Sequence, residues 1–192
     1  MNTRRIIARS ALACTLLGAL FLGHGAYIYA KAQFAQVLLQ RAWARTLAGE
    51  VNVKPWPWAD TWPVARLKST AHDIDIIVLA GDSGRVLAFG PGHHFGSALP
   101  TQSGHSVVSA HRDTHFRFLK NVALNDELLL QNPRGEWHRY RVVETRVIDA
   151  SEVAFADVTQ QSALTLVTCY PFDALVPGGP LRFVLTTLEY GA

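Results

Sequence analysis

Thr165-Leu-Val-Thr-Cys169-Tyr-Pro171 is the stretch on which the reading of this chain turns. Its β-branched residues predict a strand, and Pro171 ends it because proline brings no amide to a sheet ladder. Cys169 therefore stands where the strand opens, with its side chain near solvent or a cleft. A lone cysteine on a strand is most often a small buried hydrophobe, so its meaning depends on its partners.

Two further segments supply them. Gly104 to Thr114 reads as a strand terminating in His111, followed by a polar turn. There Asp113 and Thr114 are expected to cap a helical turn over Phe116 to Leu119. Leu181 to Thr187 begins the next strand after Cys169 and carries Arg182 near its start, across a loop of residues 170 to 180. If the Cys169 and Arg182 strands pair antiparallel, thiol and guanidinium become neighbours. A permanent cation beside a thiol favours the thiolate, and a guanidinium fork also binds a developing oxyanion. Adding an imidazole yields a nucleophile, an acid/base and an oxyanion-binding group.

Short apolar runs surround these three segments: 64–67, 74–79, 86–89, 106–110, 127–130, 138–148, 164–168 and 181–188. Gly/Pro turns such as Gly81-Asp-Ser-Gly84 and Pro177-Gly-Gly-Pro180 separate them. About eight short strands with little helix imply a mainly β barrel or sandwich. The 138–148 run has no clean alternation, so its faces cannot be assigned. Asp73 and Asp75 alternate with isoleucines and read as the polar face of a strand; no metal and no cofactor are expected.

Residues 1–62 read differently. Ser10 to Ala30 is a run of 21 residues without formal charge, preceded by Arg4, Arg5 and Arg9, which is long enough to span a bilayer. A cleavable signal has a shorter apolar region, although Ala30-Lys31-Ala32 imitates a cleavage site. The run is therefore read as an uncleaved single-pass anchor with a cytoplasmic tip, and the basic residues ahead of it set that orientation. A loosely amphipathic stalk helix follows, marked by Phe34, Val37, Leu38 and Leu47. His24 is given no role. Lys54-Pro-Trp-Pro-Trp-Ala-Asp-Thr-Trp-Pro63 then reads as a linker whose indoles cap the core edge, with a lid or interfacial belt as the alternative. The folded domain is expected over 63–192.

Charge supports this division. Six of the 18 Lys and Arg lie before the first acid, Glu50, which leaves twelve bases against 15 acids in the rest. The basic pI thus belongs to the anchor, and nucleic-acid binding is excluded for want of a basic patch. Cys14 lies in the span and Cys169 in the exported part, so the two cannot pair. A free thiol in an oxidising compartment is either deeply buried or useful.

Thr165-Leu-Val-Thr-Cys169, Ala110-His-Arg-Asp-Thr114 and the Arg182 strand, in the order His, Cys, Arg, resemble the sortase family. The resemblance covers roughly residues 63 to 190. It implies an eight-stranded β-barrel and a cysteine transpeptidase acting on a Leu-Pro-x-Thr-Gly-like C-terminal sorting signal of an exported protein. By the same resemblance Cys169 is the nucleophile, His111 the acid/base, Arg182 the oxyanion holder and Thr168 a substrate-positioning residue. Phe89-Gly-Pro-Gly-His-His94 and Cys169-Tyr-Pro-Phe172 are similar to the sortases of Gram-negative bacteria, which would put the catalytic domain in the periplasm on the inner membrane. Neither the calcium-binding carboxylates nor the Asp-Pro-aromatic lid of some relatives is found. Two competitors remain: a hydrolytic peptidase on the same site, and a non-catalytic anchored barrel. The amine acceptor is left open.

Overall fold

The computed structural model describes residues 2–152, 162–174, 176 and 178–191. Two compact units are present, 1–37 and 38–192. The described residues of the first are all helical. They belong to α1 (Asn2–Leu47), in which the most apolar 18-residue window has a mean hydropathy of 1.9, so the helix is long and apolar enough to cross a membrane.

The second unit is a closed eight-stranded barrel. Its strands are β1 (Pro63–Ser69), β2 (Ile74–Ala80), β3 (Gly92–His93), β4 (His105–Ser109), β5 (Glu127–Gln131), β6 (Trp137–Asp149), β7 (Ala163–Cys169) and β8 (Leu181–Glu189). Around the barrel they run β1-β2-β3-β4-β7-β8-β6-β5, and β5 pairs back onto β1. Closure removes every sheet edge, which a short-stranded β protein otherwise has to protect. The expected mainly β barrel is what forms.

Alternation fills the interior. Leu67, Val78, Val108, Leu128, Leu130, Tyr140, Leu164, Leu166 and Leu185 point inward and are buried. Phe116, Phe118 and Leu119, at the start of the 3-10 turn Arg117–Asn121, join the same core. A second cluster lies outside the barrel wall, where Leu39 and Trp43 of α1 cover Ile77 and Leu79 of β2. Those positions are one helical turn apart and form the packing face. Of the positions read from the sequence, Phe34, Val37 and Leu47 are exposed and Leu38 is half-buried.

Three local readings change. Val86 to Phe89 is not a strand: α2 (Gly84–Leu87) occupies that stretch, and the strand between β2 and β4 is the two-residue β3. Gly92 permits β3 to lie tight against its neighbour, because a Cβ there would come 2.2 Å from the Gly81 carbonyl oxygen. Asp73 lies in a turn at φ 52 rather than on the face of β2, whereas Asp75 does pair across the strands with Arg66 at 2.6 Å. The 3-10 turn at Arg117 starts at Phe116 without a side-chain cap, so Asp113 and Thr114 do not cap it.

The lost alternation of β6 has a cause. A register shift between Val142 and Glu144 against β8 inserts one residue, leaving Val143 exposed. In the Trp/Pro segment, Trp56 packs edge-on against Phe89 and Trp62 packs on the core, while Trp58 is exposed. Two of the three indoles therefore cap the domain. Pro177, in the Pro177-Gly-Gly-Pro180 turn, lies outside the described residues.

Candidate active site

β7 positions the thiol. All residues from Ala163 to Thr168 are buried, and only the terminal Cys169 is half-open. β7 pairs with β8 antiparallel through a continuous register that ends with Cys169 opposite Arg182. Directly opposed residues share a face of the sheet. Thr168 and its partner Phe183 face the core side, so Cys169 and Arg182 share the outer wall.

β4 lies on the other side of β7 and runs parallel to it, so both strands end at the same end of the barrel. Beyond the last strand residue, Ser109, the ladder continues by one bond, from the Ala110 amide to the Val167 carbonyl at 3.2 Å. Ala110 is buried in the core, so alternation turns the next residue, His111, outward, and it is exposed. A tight turn follows, closed by the Phe116 amide on the His111 carbonyl at 3.0 Å. The three residues singled out in the sequence thus stand at the ends of three adjacent strands: β4 for His111, β7 for Cys169 and β8 for Arg182.

Thr168 is 2 % exposed, and its hydroxyl donates to the Ala110 carbonyl at 2.7 Å. It joins the end of β7 to the residue preceding His111. Arg182 donates through Nη1 to the carbonyls of Gly179 at 2.7 Å and Leu181 at 2.9 Å. Across β8, on β6, Ile148 faces Arg182 and Asp149 faces Leu181. The Ser151 hydroxyl and amide hold the Asp149 carboxyl below its usual range, with a smaller contribution from the Arg182 charge. Burial, and then the nearby His111, push the pKa of His115 down, so this second ring favours its neutral form.

One residue escaped sequence reading. Arg112, next to His111, is 8 % exposed and donates through Nη2 to the carbonyls of Ala174 at 3.0 Å and Val176 at 3.1 Å. Its partners lie more than 60 residues away in the loop after Cys169, so no local pattern announces it. The available signal was a second charged residue directly beside the strand end at His111. Lys120 reaches the same loop through Asp173 at 2.9 Å on the surface. Phe172 of that loop packs against Phe183, ring centroids 5.1 Å apart.

Comparison with known proteins agrees with this architecture. Sortase D of Bacillus subtilis (strain 168) is 31% identical over 112 residues, which are 58% of this chain and 56% of that relative. Among solved structures, Group B Streptococcus Pilus Island 1 Sortase C2 superposes with a TM-score of 0.61 at 27% identity, covering 67% of this chain and 74% of that one. Sortase A from Corynebacterium diphtheriae shares the fold, with a TM-score of 0.63 at 23% identity over 70% of this chain and 64% of that one. The chain thus spans somewhat over half the length of the Bacillus relative. Residues 67–189, which hold all of the barrel but the start of β1 and include His111, Cys169 and Arg182, match the sortase domain, and the chain belongs to the sortase family.

Proposed function

We propose that this chain is a membrane-anchored cysteine transpeptidase. In this reading it cleaves a Leu-Pro-x-Thr-Gly-like sorting signal at the C-terminus of an exported protein and transfers the acyl part to an amine. The observation that carries the proposal is the cross-strand pair of Cys169 and Arg182 beside the end of the strand leading to His111.

The Cys169 thiolate adds to the scissile carbonyl carbon, and the oxyanion that forms is held by the Arg182 guanidinium. As the C–N bond breaks, protonated His111 gives its proton to the departing amine, leaving a thioester on Cys169. An incoming amine, deprotonated by His111, attacks that thioester; an amide forms and the thiolate returns. Because the thiolate and the imidazolium must coexist, the rate is bell-shaped in pH. Thr168 acts as a brace, since its hydroxyl is committed to Ala110.

Residues 1–62 serve as cytoplasmic tip, anchor, stalk and linker, and 63–192 as the catalytic domain. The Phe89–His94 and Cys169–Phe172 segments support assignment to the Gram-negative type, which sets the domain in the periplasm on the inner membrane.

The test is mass spectrometry of the chain with a sorting-signal peptide, with and without small amines. A thioacyl adduct on Cys169, and an amide product when amine is present, are expected. Free acid under every condition would leave a hydrolase. An unmodified Cys169 throughout would sink the thiol mechanism.

A further inference from the structure

Two arginines grip the loop that joins Cys169 to Arg182. At its far end Arg182 donates to the Gly179 and Leu181 carbonyls, and earlier in the loop Arg112 donates to those of Ala174 and Val176. Their settings differ. Arg182 is half-open, whereas Arg112 is buried, makes no ion pair with a carboxylate among the described residues, and keeps Nη1 buried without a hydrogen-bond partner.

A buried guanidinium lacking a counter-ion costs stability relative to an apolar side chain of similar volume. Stability alone therefore does not account for an arginine here. What the guanidinium supplies is a planar, permanently charged fork of donors, reaching two carbonyls of one loop from a fixed stem. A lysine would keep the charge but not the plane, and a methionine the volume but not the donors.

We infer that Arg112 is a positioning residue for the reaction. By holding Ala174 and Val176 it sets where the loop carries Gly179, and Gly179 in turn orients the Arg182 guanidinium beside Cys169. The same side chain ties this loop to the turn bearing His111, its sequence neighbour. The inference rests on the reading of Cys169 and Arg182 as the reacting pair. The Lys120–Asp173 tether reaches the same loop but is exposed, with side chains 50% and 81% accessible, and such a pair contributes little.

The experiment measures single-turnover thioacylation of Cys169 by a sorting-signal peptide, alongside the thermal midpoint, for the full chain in detergent. Arg112→Met and Arg112→Lys are expected to fold and to acylate at least about tenfold more slowly, because small displacements of a catalytic group are costly in rate. Lys120→Ala is expected to stay within about twofold. If Arg112 acts through Arg182, the slowing is not additive: Arg112→Met combined with Arg182→Met is no slower than Arg182→Met alone. Should the methionine variant fail to fold, the lysine variant carries the test.

The inference is overturned if both Arg112 variants acylate at the wild-type rate, if both fail to fold, or if the Arg112 and Arg182 effects simply add. Absence of any adduct on the wild-type chain overturns the transpeptidase reading, and this inference with it. A normal wild-type adduct with unaffected Arg112 variants overturns this inference alone.

Discussion

β7 and β6 both pair with β8, yet they are built on opposite terms. β7 is seven residues long and buried on both faces up to Thr168. β6 is thirteen residues long; only Tyr140 and Val142 on it are buried, and it absorbs an inserted residue at Val143. A strand packed from both sides has little freedom to shift, so Cys169 inherits a fixed origin from the six residues before it. A strand with one open face tolerates a bulge, and the proposed nucleophile ends the rigid one.

Several substitutions would break or sharpen this contrast. The largest effect is expected for Cys169→Ala, which abolishes the thioacyl adduct while shifting the unfolding free energy by less than about 1 kcal/mol, because the thiol is half-open at a strand end. Mass spectrometry and denaturant unfolding read the two halves of that statement. Next, Leu166→Ala, wholly buried in β7, lowers the unfolding free energy by about 2–5 kcal/mol. The half-exposed Val147→Ala on β6 costs less than about 1 kcal/mol. Equal costs for those two would remove the contrast between the strands.

Thr168→Val is intermediate, at about 1–3 kcal/mol, because it leaves the Ala110 carbonyl without its donor. It also slows acylation by loosening the approach to His111; unchanged kinetics in a destabilised variant would make Thr168 purely structural.

The smallest effect concerns acid. The folded pKa of Asp149, at the end of β6, lies below its unfolded value, so its contribution is complete above about pH 4 and is lost as pH falls through the lowered value. β7 carries no carboxylate. Amide exchange at the end of β6 should therefore accelerate on going from pH 5 to pH 3 more than exchange in β7, after correction for intrinsic rates. Asp149→Asn should abolish the difference. Equal acceleration in both strands would show that acid acts on the barrel as a whole.

How far the sequence was readable follows the same division. β7 was plain because a run of branched and apolar residues stopped by proline has few other solutions, whereas its antiparallel pairing with the Arg182 strand across residues 170–180 stood only as a condition, which the register now meets. β6 resisted because its bulge breaks the two-residue period on which such reading depends. Val86 to Phe89 reads as a strand because four apolar residues carry no period that separates strand from helical turn. β3, two residues built on Gly92, has almost no side-chain signal and exists because backbones meet there. The buried face of α1 was missed because β2 selects Leu39 and Trp43 from outside the helix. Arg112 was hidden for a related reason: its meaning lies in carbonyls supplied by a loop far along the chain.

The strand order bears on when the proposed reacting pair comes together. β8 is synthesised after β6 and β7 but lies between them in the barrel. Until Leu181–Glu189 is inserted, the barrel wall is open between β7 and β6, and Cys169 has no guanidinium opposite it. A chain still emerging from the ribosome thus carries the cysteine without the site, and nascent chains halted before Leu181 should show ordinary thiol behaviour towards a sorting-signal peptide. On the proposed reading, reactivity at Cys169 starts only once Leu181–Glu189 is in place beside it.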